Sequence, residues 1–291
     1  MTNEPIKFYL SGGLGNQLHG LAAGLAAAKY WNTNLLLFTD HIPLGSNLKR
    51  RFSLEKLELN DNTNIKIIRK GRQSISAAIE LVNRHTLRRD RTLRLDYFDT
   101  GENADIQILN MTPGKSIGGG FIDFGYLNYL DGSEIFKQLK LKGVSRDLSI
   151  IENMMPKEFT SVHLRIGDYL NYPEVFPIIP ESFFLKSIRD YASGEVIVFT
   201  EDKGIALQHY PKVISLADRI ITREENVSPL ETVWLMHKGI TIITSNSTFS
   251  SWAGWYGMQN GSVVVTPIPH LKGNWRDELP TNWIRINILN I

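Results

Sequence analysis

The feature that most constrains this chain is its opening run. Ile6 to Leu10 (IKFYL) is followed by Ser11-Gly12-Gly13-Leu14-Gly15, by a small-residue segment from about Asn16 to Trp31, and by Asn34 to Phe38 (NLLLF). A β-prone run, a glycine cluster, a helix-forming stretch and a second apolar run read as strand, loop, helix and strand. A strand that is apolar throughout is one buried on both faces, and parallel strands need a crossover of this kind. The segment therefore predicts a βαβ unit, the repeat from which doubly wound α/β sheets are built.

The alternation recurs. Further strands are predicted at 65–68, 159–164, 196–200, 240–244 and 262–265. Helices are predicted at 74–87, 133–141, 181–191, 229–237 and from about 248. The stretch from Lys66 to Gly125 is less regular. For 291 residues, at roughly 150 residues per domain, the pattern predicts two α/β halves, 1–155 and 156–291, divided near Met155-Pro156. Ligands of such folds gather at the carboxyl ends of strands, so a cleft between the halves is the expected site.

Composition removes several classes. The chain has no cysteine, which excludes disulfide scaffolds, thiolate zinc sites, iron–sulfur clusters and cysteine nucleophiles. His237 and His85 have no partners at ligand spacing, and no metal is assigned. A formal charge of +2, from 32 Lys+Arg and 30 Asp+Glu, does not advertise a nucleic-acid binder. No stretch reaches the roughly 18 apolar residues of a membrane span. MTNEPIKFYLSGG lacks the basic flank and apolar core of a signal peptide, so the expected location is the cytoplasm. The segment Lys66–Arg94 carries nine Lys/Arg against Glu80 and Asp90. It is either a solvated face or a point of peripheral contact with the inner face of a membrane or an anionic acceptor.

Three segments place small or polar residues directly after an apolar strand, where backbone N–H groups and helix N-termini bind anions. In the first, Gly13 and Gly15 permit close backbone approach, and Asn16 and Gln17 offer amide donors. A structural tight turn explains the same residues. The spacing to Asp40 hints at a dinucleotide fingerprint, but its third glycine would fall at Leu18, and no Walker lysine follows. In the second, Val162-His163-Leu164-Arg165-Ile166-Gly167-Asp168-Tyr169, alternation puts His163 and Arg165 on one side and Val162, Leu164 and Ile166 on the other. The arginine fork suits phosphate oxygens, and Gly167 lets Asp168 turn back toward it. A plain Arg165–Asp168 ion pair is the alternative. In the third, Thr244-Ser245-Asn246-Ser247-Thr248-Phe249 leads into a helix, as an anion cradle or as an ordinary N-cap. Trp252 and Trp255, three apart on that helix, read as core.

GGLGNQ, VHLRIGDY, VFTED and LMHKGITIITSNSTFSSWAGW resemble, in order and spacing, the α-1,2-fucosyltransferases of glycosyltransferase family 11, over roughly Gly12 to Pro267. The resemblance implies a GT-B-like α/β fold of two Rossmann-type lobes, with GDP-fucose as donor substrate and no cofactor or metal. It implies that Arg165 binds the β-phosphate and His163 lies near the nucleotide. Asn16, with the glycine loop, would support the diphosphate or the fucose. Asn246, Ser247, Thr248 and Phe249 would line the diphosphate and base pocket, and Glu201 and Asp202 would either contact the base or cap the next helix. Such enzymes commonly have a second arginine where this chain has Ile166. A donor such as GDP-colitose therefore stays open beside GDP-fucose.

The implied reaction develops negative charge on the departing diphosphate, which Arg165 would stabilise. The attacking hydroxyl needs a proton acceptor; Asp168 is the first candidate and Glu174 the second, with His19 available to orient the acceptor. The expected partners are a GDP-sugar and an oligosaccharide or lipid-linked glycan. A non-catalytic sugar-nucleotide or glycan-binding protein and a dinucleotide-dependent oxidoreductase are the competing readings.

Overall fold

The computed structural model describes residues 4–39, 52–59, 65–68, 96–98, 103–119, 121–130, 139–273 and 279–291. Contacts divide the chain into two compact units, Met1–Glu55 with Leu59–Ser133, and Lys56–Glu58 with Glu134–Ile291.

In the first unit β1 (Ile6–Tyr9), β2 (Leu35–Phe38), β3 (Ile65–Ile68), β4 (Asp96–Phe98) and β5 (Ser116–Gly119) form one sheet. Their order is β3-β2-β1-β5-β4, and every pairing is parallel. The connection β1 to β2 runs through α1 (Leu14–Tyr30), the βαβ unit read from the sequence. Helix α1 is buried along nearly its whole length because its Ala and Gly residues let it lie close against the strands. A Cβ at Gly20 would stand 3.0 Å from both Phe8 and Leu10. The close helix–strand packing that a dinucleotide fingerprint assigns to its third glycine is thus made two residues beyond Leu18. Gly20→Val is expected to cost about 1–3 kcal/mol by overpacking, read as a lowered midpoint in thermal unfolding.

The second unit contains β6 (Phe159–Leu164), β7 (Glu195–Thr200), β8 (Arg219–Ile221), β9 (Thr241–Ile243), β10 (Val263–Ile268) and β11 (Ile284–Asn287). They lie in the order β11-β10-β9-β6-β7-β8, again all parallel. Among the described residues the further helices are α2 (Ala104–Asn110) in the first unit, then α3 (Arg146–Asn153), α4 (Glu181–Tyr191), α5 (Lys203–His209), α6 (Pro211–Ser215), α7 (Pro229–Met236) and α8 (Thr248–Gln259). Val162, Leu164 and Ile166 share one core with Phe183 and Phe184 of α4, Ala206 of α5 and Val213 of α6. In α8, Trp252, Trp255 and Tyr256 are buried and pack ring to ring at 5.1–5.7 Å. The tryptophan pair is core.

The division of contacts falls at Ser133/Glu134, so Met155-Pro156 lies within the second unit rather than at its border. The reason is α3, which precedes that proline yet is tied to this unit. Asn226 donates to Asp147 at 2.8 Å, and Trp234 and Lys238 both donate to Glu152. Lys56–Glu58 also joins the second unit as a strap. Leu57 bridges Leu141 antiparallel, with Glu58 N–H on Lys140 O at 3.0 Å and Lys142 N–H on Lys56 O at 2.7 Å. Residues 139–141 are therefore not the end of the expected helix; 133–138, the 74–87 helix, Asp40, His85 and the basic segment after Ile68 lie outside the described residues. Among the described residues no helix is long and apolar enough to cross a membrane.

Candidate active site

Each sheet has a switch point, where the strand order leaves its first strand in opposite directions and the carboxyl ends diverge to expose a crevice. In the first unit it lies beside β1, whose end carries the glycine loop. Gly12 has φ +74°, a left-handed value that a side chain resists, and a Cβ there would press on Asn16 at 2.5 Å. Gly13 is the extended N-cap of α1, with no side chain closing the helix end. Gly15 is buried inside the first turn, and Asn16 is exposed. Gln17, expected at the donor, is fully buried. Its Nε2 donates to Gly12 O at 3.0 Å and its Oε1 accepts from Ser53 N–H at 2.9 Å, so it holds the loop's shape. His19 is buried as well, edge-on to Phe124 at 4.8 Å, and burial pulls its imidazole down to about 3. It packs as a neutral ring inside the first unit.

In the second unit the switch point lies between β6 and β9, and two of the three segments singled out from sequence meet there. His163 Nδ1 shares a 2.8 Å hydrogen bond with Ser245 Oγ, its ring lies 5.4 Å from Phe249, and Tyr169 OH donates to Asn246 O at 3.2 Å. Arg165 follows the last strand residue of β6. Its Nη2 reaches Asp168 at 2.7 Å, its Nη1 pairs with Glu201 at the end of β7, and its guanidinium lies 5.3 Å from the Tyr169 ring centre. Arg223, after β8, reaches the same Glu201 oxygen at 2.7 Å. Ile166 turns into the core, 3% exposed, as strand alternation predicts.

Ser247 caps α8, its Oγ accepting from Phe249 N–H at 3.3 Å. The first turn of α8 carries no acidic residue, so the positive end of the helix dipole is left uncompensated by charge there. Asn246 is 3% exposed. Its Nδ2 donates to Pro177 O at 2.9 Å and His270 O at 3.2 Å, and its Oδ1 is buried with no partner among the described residues. Behind it Thr244 Oγ1 donates to Thr266 Oγ1 at 2.8 Å, which shares a 3.0 Å bond with His270 Nε2. Thr244, Thr266 and His270 thus form a buried polar chain behind Asn246, and His270 and Thr266 were not singled out in the sequence.

Electrostatics separate the two basic groups. Burial, with the Arg165 charge beside it, pulls His163 down to about 3, so at neutral pH it is an uncharged hydrogen-bonding ring. Burial opposes the charge on Arg165 too, but Glu201 and Asp168 more than offset it and raise its pKa. The site thus holds a permanent cation at the end of β6, the strand beside the one that leads into α8, and both a guanidinium and a helix start are anion-binding groups.

Two further expected carboxylates are not in the Arg165 ion pairs, and for Asp202 the helix-capping alternative holds. Asp202 is exposed and caps α5, accepting from Ile205 N–H at 2.9 Å. Glu174 is exposed and stands outside the Arg165 cluster. Asp168 is engaged with Arg165, the ion pair offered as the alternative reading of that motif. Among the described residues no group of three or more His, Asp or Glu side chains is arranged to hold a metal.

Parallel α/β units with such switch points occur in the GT-B glycosyltransferases, and solved fucosyltransferases share this fold. No family model matches the chain. It is 26% identical to an Alpha-1,2-colitosyltransferase of Escherichia coli across 53% of its own length and 55% of that protein's. The match thus spans about half of that relative. It is 24% identical to the O-antigen biosynthesis glycosyltransferase WbnK of Escherichia coli, across 95% of this chain and 99% of that one. The solved fucosyltransferase NodZ from Bradyrhizobium superposes with a TM-score of 0.50 over 87% of this chain and 93% of NodZ, at 14% identity. NodZ alpha-1,6-fucosyltransferase co-crystallized with GDP gives the same TM-score over 92% of its chain. The fold is mixed α/β with parallel sheets, like GT-B glycosyltransferases, and the sequence relatives are glycosyltransferases.

Proposed function

We propose that this chain is an inverting, metal-independent glycosyltransferase that moves L-fucose from GDP-fucose to a galactose-type hydroxyl of an oligosaccharide or surface-glycan precursor, forming an α-1,2 linkage. The observation that carries the reading is Arg165. It stands charged at the β6 carboxyl end, across the switch point from the start of α8. Cleavage of the sugar–oxygen bond leaves the electron pair on the diphosphate, and the guanidinium with the α8 N–H groups stabilises that charge. Asn246, Ser247, Thr248, Phe249 and His163 border the nucleotide. Asp168 acts by holding the Arg165 fork in place. Asp168 is also the first candidate to take the proton of the attacking hydroxyl, with Glu174 the second. Similarity to a colitosyltransferase supports a GDP-linked colitose as the second donor to consider. The protein would work in the cytoplasm, with 66–94 contacting the inner membrane face.

The test is a donor screen with GDP-fucose, GDP-colitose and GDP-mannose over a panel of galactosides, reading released GDP and product linkage, with and without EDTA. Release from a GDP-deoxysugar that EDTA leaves intact is expected; strict dependence on a divalent ion would contradict the metal-free mechanism, and binding without release would make the protein a sugar-nucleotide receptor. GDP at 100 times its dissociation constant should stabilise the native state by about 2.7 kcal/mol, whereas NAD should leave the melting midpoint unmoved.

A further inference from the structure

The charges around Arg165 balance in a way that donor binding must upset. Arg165 and Arg223 bring two positive charges and Asp168 and Glu201 two negative ones, while His163 is neutral. A diphosphate entering such a cluster meets no net attraction unless one carboxylate withdraws. Asp168 cannot readily do so: its side chain is 8% exposed and sits three residues from Arg165 on the same turn. Glu201 can. Its side chain is 32% exposed, and both guanidinium contacts fall on one oxygen, Oε1. Its backbone is fixed independently because the next residue, Asp202, caps α5. Arg223 has a side chain 71% exposed, free to follow an anion at little cost, since an exposed ion pair is worth about 0–1 kcal/mol.

Resting on the nucleotide-diphosphate reading above, we infer that Arg223 is a second phosphate-binding residue of this site and that Glu201 is a displaceable counterion, holding the two arginines at phosphate spacing until the donor's diphosphate takes its place. Two guanidiniums bonded to one carboxylate oxygen are spaced as they would be around one bridging phosphate oxygen. Ile166, buried in the core, leaves the end of β6 with a single guanidinium, and the end of β8 supplies the other. Arg223 contacts the donor; Glu201 is a positioning residue.

Titration calorimetry with GDP tests this on the full chain. Arg223→Ala is expected to weaken GDP binding about 10- to 100-fold, the scale of one charge-assisted hydrogen-bonded contact, with an unchanged melting midpoint. Arg223→Lys should recover part of the loss. Glu201→Gln should bind GDP several-fold more tightly than the unaltered protein, because the competing anion is gone. A merely structural brace would give the opposite sign, since loosening Arg165 weakens binding. Unaltered GDP affinity in Arg223→Ala, or weaker affinity in Glu201→Gln, overturns the inference while the nucleotide reading stands. Failure of the unaltered protein to bind GDP overturns both.

Discussion

Replacing Arg165 with alanine is expected to lower sugar transfer at least about 100-fold, the scale on which loss of one preorganised stabiliser of a developing anion is felt. The effect should fall mainly on kcat, because charge on the leaving diphosphate grows only as the bond breaks. The position is demanding in other ways. Arg165 is 17% exposed and flanked by Asp168 at 8%, so alanine removes the cation bonded to a nearly buried carboxylate. Some loss of stability accompanies the loss of rate. Arg165→Lys separates the two: the ammonium keeps a charge near Asp168 but cannot hold Asp168 on one edge while presenting a second edge to a phosphate, since it lacks the planar fork. It should fold nearly as well as the unaltered chain and still turn over slowly. Rates of GDP release, measured beside thermal melting of each variant, check both statements. Near-normal turnover in a folded Arg165→Ala protein would remove the arginine from the mechanism.

What the sequence disclosed of this site, and what it withheld, follows the range of the interactions involved. Period-two alternation along β6 predicted that Ile166 would join Val162 and Leu164, and it does, in a core with α4. The glycine loop, the end of β6 and the start of α8 were each legible because a strand, a loop and a helix start write their signatures within a few neighbouring residues. The bridge from Arg165 through Glu201 to Arg223 was not. It joins the ends of three strands, and nothing local marks a glutamate as a shared partner. Gln17 shows the same limit from the other side. An amide beside a glycine loop looks like a donor for a ligand, yet its Nε2 is used by Gly12 O and its Oε1 by the N–H of Ser53, distant in sequence. Short strands escaped as well: β8 has three residues, and β5 is Ser-Ile-Gly-Gly, too poor in β-branched side chains to register.

The strap at Lys56–Glu58 carries the second large expectation. Glu231, in the first turn of α7, has no exposed surface, yet it accepts from Ser228 N–H at 2.8 Å, Ser228 Oγ at 2.6 Å and Ser145 N–H at 3.2 Å. It also meets Lys56 Nζ at 2.9 Å. Burial alone would raise its pKa, but these donors hold it down to about 2. Its contribution to stability is therefore complete above the unfolded-state value near 4.3 and is lost as pH falls from there through about 2. Glu231→Gln keeps the shape but removes the charge, and is expected to cost about 2–3 kcal/mol at neutral pH, the scale of hydrogen bonds to a charged group at a helix N-terminus. Lys56→Met should cost less, because that side chain is 39% exposed and its charge is easily solvated. Unfolding by urea at pH 7 and at pH 3 distinguishes this account from a simple packing effect. The gap between the unaltered protein and Glu231→Gln must narrow as the pH drops, because at pH 3 the unfolded chain's carboxyl is protonated while the native one, held down to about 2, still has to be ionised. A gap of the same size at both pH values would mean that the ionised carboxylate is not what fastens the strap.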